Sequence, residues 1–250
     1  GVENYPIHLK LDTGMHRLGF EEHQLNQLIE ILKAQPEIRI KSVYSHLVEA
    51  ENSYDKRFSS HQILSFKKAV NKLSAELNYG FDTHIQNSAG IVQFGDINCS
   101  MVRLGIGMYG ISPMAAIQPQ LSPVLEWYST ISQIKSIDKG QSIGYNRSFV
   151  AKQPMKIATI PVGYADGLRR SLSNEVGQLF VHGKACPIVG KVCMDMVMID
   201  ITSVSCTVGD EVEIIGPHQS IDTFARLIDT IPYEVMTSIA PRVHRLYVEK

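Results

Sequence analysis

Four short stretches of this chain carry chemically capable side chains, three of them beside glycines. Lys10-Leu-Asp12-Thr13-Gly14-Met-His-Arg17 offers two strong cations and a carboxylate, Ser45-His46 a hydroxyl and an imidazole, and Asn87-Ser88-Ala89-Gly90 a hydroxyl opening a short helical pattern. Arg103 precedes Gly105-Ile106-Gly107. Cations with helix-start amides hold anions, an imidazole transfers protons near neutral pH, and glycines let a ligand approach the backbone closely. Arg103 stands inside an apolar run, where a buried guanidinium needs paired acceptors, and Lys10 is similarly placed with Asp12 two residues on. Each motif also has an ordinary reading: His46 as a packed rim histidine, Asp12-Thr13-Gly14 as a turn, Asn87-Ser88 as a helix cap. Their positions relative to one another decide between the readings.

The first half alternates short apolar runs with longer helical patterns. Ile7–Leu11, Ile40–Tyr44, Phe81–Ile85 and Met101–Leu104 read as strands. Leu25, Leu28, Ile29 and Leu32 recur at helical spacing up to Pro36, and Asp55–Leu77 carries Phe58, Ile63, Phe66, Val70 and Leu73 in the same way. Strand alternating with helix predicts a parallel sheet. All four motifs then follow strands and share the C-terminal edge, where parallel α/β folds bind ligands. After Pro113 the texture changes. Val124–Ile137, Met155–Val162, Leu179–Val181, Pro187–Val192, Val197–Ile201, Glu211–Ile215 and Val243–Val248 read as strands with short connections, interrupted by one helix at Ser220–Ile228. This predicts an antiparallel β domain with the boundary near residue 120, so that residues 1–120 and 121–250 are the expected domains.

Composition narrows the class. The 250 residues are 44% apolar and nearly neutral, with 24 Lys and Arg against 25 Asp and Glu. That balance argues against nucleic acid or an anionic membrane surface as a general partner. No apolar run approaches the length a membrane helix needs, and Gly1-Val2-Glu3-Asn4-Tyr5 has no secretory pattern. Cys99, Cys186, Cys193 and Cys206 form no CxxC pair, so reduced thiols in a cytoplasmic protein are expected rather than a zinc site or a disulfide framework.

Taken in order, His8–Phe20 (HLKLDTGMHRLGF), His84–Gly90 (HIQNSAG), Val102–Gly110 (VRLGIGMYG), Val162–Gly167 (VGYADG) and Gly190–Met196 (GKVCMDM) resemble alanine racemase. The resemblance runs from about residue 6 to residue 246. It implies a pyridoxal 5'-phosphate enzyme with a (β/α)8 barrel, a β domain and a homodimer with shared active sites. The reaction would interconvert L-alanine and D-alanine for peptidoglycan. Removing the Cα proton from one face and returning one to the other requires two bases, while the cofactor delocalises the charge.

The matching positions carry roles with them. Tyr145 in Ile143-Gly-Tyr-Asn-Arg147 would be one base, working across the dimer interface; its ordinary pKa near 10 must fall, so positive charge is needed nearby. The alternative is a strand aromatic filling the β-domain core. Arg103 would hydrogen-bond the pyridine nitrogen and, by keeping its own proton, leave that nitrogen unprotonated. His46 would bridge Arg103 and Tyr145. Arg17 would engage the substrate carboxylate and the cofactor's phenolic oxygen, and Lys10, carbamylated in many members, would orient Arg17. Ser88, Gly105 and Ile106 would hold the phosphate. Met194 would meet the partner's substrate through its amide, with Asp195 beside it, and Tyr164 would line the entrance.

Two departures stand out. Ala240-Pro241 replaces a phosphate-binding tyrosine ahead of Arg242-Val243. No segment matches the one that carries the Schiff-base lysine on the family's first barrel strand. A complete barrel needs about 250 residues, and the residues before the boundary suffice for about four βα units. The sequence therefore predicts the C-terminal half of a barrel followed by the β domain, a Gly1 start that cuts the barrel, and no activity from this chain alone. A decarboxylase of the same architecture and a non-catalytic subunit of the same family are the competing expectations.

Overall fold

The computed structural model describes residues 3–52 and 54–249; the Gly1-Val2 opening, read above as a cut through a barrel, lies outside them. The chain divides into two compact units, Gly1–Val124 and Leu125–Lys250.

In the first unit, β1 (Tyr5–Lys10), α1 (Leu25–Ala34), β2 (Ile38–Tyr44), α2 (Arg57–Leu77), β3 (Asp82–His84) and α3 (Ser88–Phe94) alternate as the periodicity predicts. The strands form a parallel sheet in the order β1-β2-β3. Helix α1 buries Leu25, Leu28, Ile29 and Leu32, the stripe read from the sequence. Helix α2 buries Ile63, Phe66, Ala69 and Leu73 and ends at Asn78, which takes a left-handed conformation. These faces close on Leu9, Ile40, Val43 and Ile85 from the strand segments to make one core. The expected fourth strand at Met101–Leu104 is a correction. Met101 N–H donates to Thr83 O and Arg103 N–H to Gln86 O, so the segment lies alongside the β3 edge. It makes no ladder, because these bonds are isolated and no strand flanks its other side among the described residues.

The second unit is mainly antiparallel. Strands β4 (Trp127–Thr130), β5 (Gln133–Ile137), β6 (Ser142–Ile143), β7 (Phe149–Val150), β8 (Met155–Ile160), β9 (Gln178–Val181), β10 (Lys184–Pro187), β11 (Val197–Asp200) and β12 (Glu211–Ile215) precede α4 (Ile221–Leu227) and α5 (Pro232–Ser238). They pair as β10-β9-β12-β4, β11-β8-β5 and the small hairpin β6-β7. The run expected as one strand over Val124–Ile137 is two strands in different sheets. Ile131 N–H bonds Asp210 O beside β12 and Ser132 N–H bonds Thr159 O in β8, so the chain crosses between sheets there. The strand expected at Pro187–Val192 lies earlier, at Lys184–Pro187. Beyond Pro187 the chain changes partners, Ile188 N–H bonding Gly177 O and Val189 N–H bonding Met198 O in β11, so no further ladder builds up. The strand expected at Val243–Val248 does not form. Instead Arg245 folds back to donate to the carbonyls of Ile239, Ala240 and Val243. A second helix, α5, precedes that turn, opened by Pro232 at its first position.

Leu73 is fully buried where α2 meets the sheet. Leu73→Ala is expected to lower unfolding free energy by about 3 kcal/mol, measured by urea denaturation. A loss below about 1 kcal/mol would mean that α2 does not pack on this core.

Candidate functional site

The strand-end motifs of the first unit converge on Arg103. Its Nη2 donates to Ser45 O at 2.6 Å, Ile85 O at 3.2 Å and His46 Nδ1 at 3.1 Å. Its Nη1 donates to His84 O at 3.3 Å and to His84 Nδ1. The paired acceptors that the sequence demanded are thus carbonyls at the ends of β2 and β3 plus two imidazoles. The Tyr44 ring lies under the guanidinium, 5.6 Å from its centre, and stacks on His84. Among the described residues the Nε–H of Arg103 alone has no partner.

These contacts assign the imidazole tautomers. Because Arg103 donates to Nδ1 of His84, the ring proton sits on Nε2 and is given to Ser42 Oγ at 3.1 Å; Ser42 in turn donates to His8 Nδ1 at 2.6 Å. A line of hydrogen bonds therefore runs from Arg103 through two buried groups to an exposed histidine. Burial, then the charge of Arg103, pushes the His84 pKa down to about 4, with His8 adding to this and Asp82 opposing it. Burial lowers the His46 pKa as well, followed by Arg103, Arg17 and Lys10. Burial also pulls the guanidinium of Arg103 below its ordinary value.

Lys10 and Arg17 flank this cluster without any ion pair among the described residues. Lys10 Nζ donates to Leu18 O at 2.9 Å and touches the loop beside Arg17 rather than Arg17 itself. The loop returns sharply. Gly19 sits at φ +115°, and a Cβ there would come within 2.9 Å of Lys10 O and Asp12 N. Asp12 is fully engaged by the amides of Gly14, Met15 and His16. Burial alone would raise its pKa, but those three bonds outweigh it and hold the carboxyl below its ordinary range. Asp12 is therefore held ionised, but it forms no ion pair with Lys10 or Arg17 among the described residues.

Asn87 caps α3, accepting from Gly90 N–H at 2.9 Å. The helix-cap reading of Asn87 thus holds, and Ser88 Oγ accepts from the amides of Gly105 at 2.9 Å and Gly107 at 3.3 Å. The Ile106 amide between them is unclaimed among the described residues. The result is a small cradle of backbone donors next to the Arg103 segment.

The remaining expected residues lie in the second unit. Tyr145 is at the tip of the β6-β7 hairpin, 67% exposed, its hydroxyl without a partner among the described residues. It is not a core aromatic. Tyr164, Met194 and Asp195 stand on two interlocked loops, with Tyr164 N–H on Cys193 O and Ala165 N–H on Met194 O, both at 3.0 Å. Gly163 permits this closeness, since a Cβ there would lie 2.3 Å from Met194 O. The Met194 amide is free among the described residues. Sequence reasoning missed what holds these loops. Arg242 donates through Nε to Asp166 at 2.7 Å and through Nη2 to Asp195 at 2.6 Å, and both carboxylates push its pKa up. The quoted motifs contained Arg242 and His84, but nothing in the sequence names their partners.

A parallel α/β unit with a cation-rich strand-end site, followed by an antiparallel β unit, defines a two-domain ligand-binding protein. Comparison with known proteins is specific. Residues 2–113 match the family profile described as alanine racemase, N-terminal domain, and residues 124–247 that of alanine racemase, C-terminal domain. The chain is 37% identical to an alanine racemase of Halothermothrix orenii, covering 98% of this chain and 66% of that protein. It is 38% identical to alanine racemase 2 of Caldanaerobacter subterraneus, covering 97% and 64%. Among solved structures, the biosynthetic alanine racemase of Pseudomonas aeruginosa superposes with a TM-score of 0.82 at 30% identity, over 99% of this chain and 68% of that one. That of Bartonella henselae, with covalently bound pyridoxal phosphate, gives 0.88 at 34% identity, over 97% and 66%. This chain belongs to the alanine racemase family, with the family's N-terminal barrel domain and C-terminal antiparallel β domain. It spans slightly less than two thirds of the length of these curated relatives.

The depressed His84 pKa has a definite sign for stability. An unfolded histidine takes up its proton near pH 6.5, whereas folded His84 resists until about pH 4. Its contribution is complete above pH 6.5 and is lost as pH falls through that window. His84→Gln is expected to flatten the pH dependence of unfolding free energy between pH 6.5 and 4, followed by urea titrations. An unchanged slope would show that His84 is not held neutral.

Proposed function

We propose that this chain supplies the larger part of a pyridoxal-phosphate-dependent alanine racemase, interconverting L-alanine and D-alanine and so furnishing D-alanine for peptidoglycan. The single observation that carries this reading is the state of Arg103. Five acceptors fix its two terminal nitrogens and leave Nε–H without a partner among the described residues.

The residues present fit the cofactor. A pyridine nitrogen is an acceptor that one free guanidinium N–H can satisfy, and a phosphate is an acceptor for the Ser88 hydroxyl proton and the Ile106 amide; the Gly105 amide, which donates to Ser88 Oγ here, reaches a phosphate only by exchanging that bond. Lys10 and Arg17 leave the site with positive charge that no carboxylate pairs. When bound, the cofactor supplies an electron sink for the pair left at Cα once its proton is removed. Arg103, which keeps its proton under any working condition, holds the ring nitrogen by donating and does not protonate it. His46 accepts from Arg103 through Nδ1, so its Nε2 carries a proton to offer a tyrosine oxygen. Arg17 receives the substrate carboxylate, and Lys10 fixes the Arg17 loop through Leu18 O.

Tyr145 is the base that takes the proton from L-alanine and returns it in the reverse direction. Its exposed hairpin tip suits insertion into a second copy of the chain, as do the free Met194 amide and the Tyr164 loop, so the reading includes a homodimer with shared sites. Three parallel strands are fewer than the eight that a barrel needs, and no segment here resembles the one that carries the cofactor-anchoring lysine. On this reading the chain contributes part of the barrel and the tyrosine side of the two-base pair, and these 250 residues by themselves do not turn over. Ala240 and Pro241 belong to the turn ahead of Arg242 and bring no hydroxyl to a phosphate. The absence of any helix long and apolar enough to cross a membrane among the described residues is compatible with a cytoplasmic site of action.

The test is D-alanine formation from L-alanine by the protein supplied with pyridoxal phosphate and the lysine-bearing segment; the chain with cofactor alone is expected to form none. Tyr145→Phe is expected to lower kcat for L-alanine by about 10²–10⁴-fold while leaving cofactor binding unchanged by absorbance. Cofactor binding with no racemisation by the unmutated protein, supplied with the lysine-bearing segment, would favour a non-catalytic member instead. Carbon dioxide release would favour a decarboxylase.

A further inference from the structure

One fully buried polar side chain in the first unit has no part in the assignments above. Gln62 lies on α2 among Ser59, Ile63 and Phe66, with 0% of its surface exposed. Its carboxamide does not face the apolar core unpaired. Oε1 accepts from Val48 N–H at 3.0 Å, and Nε2 donates to His46 O at 3.1 Å and Thr13 Oγ1 at 3.3 Å. Thr13 Oγ1 is in turn 2.8 Å from Ser45 Oγ, and Ser45 O is the closest carbonyl acceptor of Arg103.

Every one of these contacts belongs to a loop that carries a site residue. Thr13 stands in the loop after β1 that bears Arg17, and His46 and Val48 in the loop after β2. No strand ladder joins those loops beyond Lys10 and Tyr44 except the single bond from Leu11 N–H to Tyr44 O. We propose that Gln62 is a positioning residue that fixes the Arg17 loop and the His46 loop in one register, through a buried amide no other side chain of its size can replace. The chemistry is restrictive. Val48 N–H needs an acceptor, while His46 O and Thr13 Oγ1 take donors, and a carboxamide offers one acceptor and two donors from one planar group, where a neutral imidazole has only one donor. A carboxylate would turn two acceptors against His46 O, and an apolar isostere would strand a buried amide and a buried carbonyl at about 1–3 kcal/mol each.

The consequence for chemistry follows from what faces His46. Arg103 from the segment after β3, Arg17 from the loop after β1 and Lys10 at the end of β1 all bear on its imidazole. With the loops in register, these three cations and burial keep the ring neutral, ready to accept from Arg103. With the register lost, His46 moves away from them and towards water, and its affinity for a proton rises. The proposal rests on the functional reading for the meaning of His46 and Arg17, but the geometry can be measured without turnover.

The experiment compares the unmutated protein with Gln62→Met and Thr13→Val, following the His46 ring by NMR titration, with thermal unfolding measured alongside. Gln62→Met is expected to raise the His46 pKa by about half a unit or more in the folded protein and to deprotect the Val48 amide from hydrogen exchange. Thr13→Val, which removes one arm only, should shift it in the same direction by less. Where racemisation is measurable, KM for alanine should rise more than kcat falls, because Arg17 is displaced while the base on the β domain is untouched. A purely structural glutamine would lower the unfolding temperature and leave the His46 pKa and the KM to kcat balance where they were. That result overturns the proposal. Should Gln62→Met fail to fold, Thr13→Val decides, and an unshifted His46 there is equally fatal. A shifted His46 in a protein that does not racemise even with pyridoxal phosphate and the lysine-bearing segment supplied would sustain the positioning role and refute the proposed reaction.

Discussion

A guanidinium withdrawn from water must have its donors satisfied or its burial costs several kcal/mol, and Arg103 meets that demand only if two strands end at the same level. Ser45 O follows β2, while His84 O closes β3 and Ile85 O follows it, and one side chain reaches all three. The β2-β3 pairing, Ser42 with Asp82 through Tyr44 with His84, is the register that makes this possible. Slipping it by one residue would turn the side chains to the opposite face and carry His84 and Tyr44 away from the cation they flank. Burial first, and the repulsion of the same cation second, oppose protonation of both neighbouring imidazoles.

The electrostatic character of the site comes as much from how acids are occupied as from where bases stand. Asp12 is the nearest carboxylate in sequence to Lys10, and three amides of its own turn hold it in its charged form. Lys10, Arg17 and Arg103 form no ion pair with it or with any other carboxylate among the described residues. On the proposed reading, that unpaired charge is what a phosphate and a carboxylate would meet. The cradle at Ser88 has the same logic. Its hydroxyl oxygen is held by the Gly105 and Gly107 amides, which leaves the hydroxyl proton free to donate.

The β unit solves a different problem, that of presenting side chains outward from a rigid frame. Tyr145 stands on a hairpin of only two residues per strand, whose backbone carries left-handed conformations at Asn146 and Arg147. The loops of Tyr164 and Met194 are locked by backbone bonds and by Arg242 between Asp166 and Asp195. An exposed ion pair adds little stability by itself. Two carboxylates gripping one planar guanidinium nonetheless fix the geometry of the two loops.

Much of this was legible in the residues. The helical stripes of α1 and α2, the parallel alternation, the shift to antiparallel strands and the common edge of Lys10, His46, Ser88 and Arg103 all follow from periodicity and turn chemistry, because these depend on neighbours a few residues away. The need of Arg103 for acceptors was legible too, since it follows from the charge alone. Which acceptors it finds was not. His84, Ser42 and Gln62 lie within ordinary strand and helix patterns, and their roles arise from partners between 14 and 49 residues distant. The split of 124–137 between two sheets and the pairing of Arg242 with Asp166 and Asp195 have the same origin. Sequence spacing therefore determined the elements and the edge on which chemistry would stand. Only the tertiary structure decided which groups satisfy one another there, because a buried hydrogen bond is set by what folding brings within about 3 Å, whatever its distance along the chain.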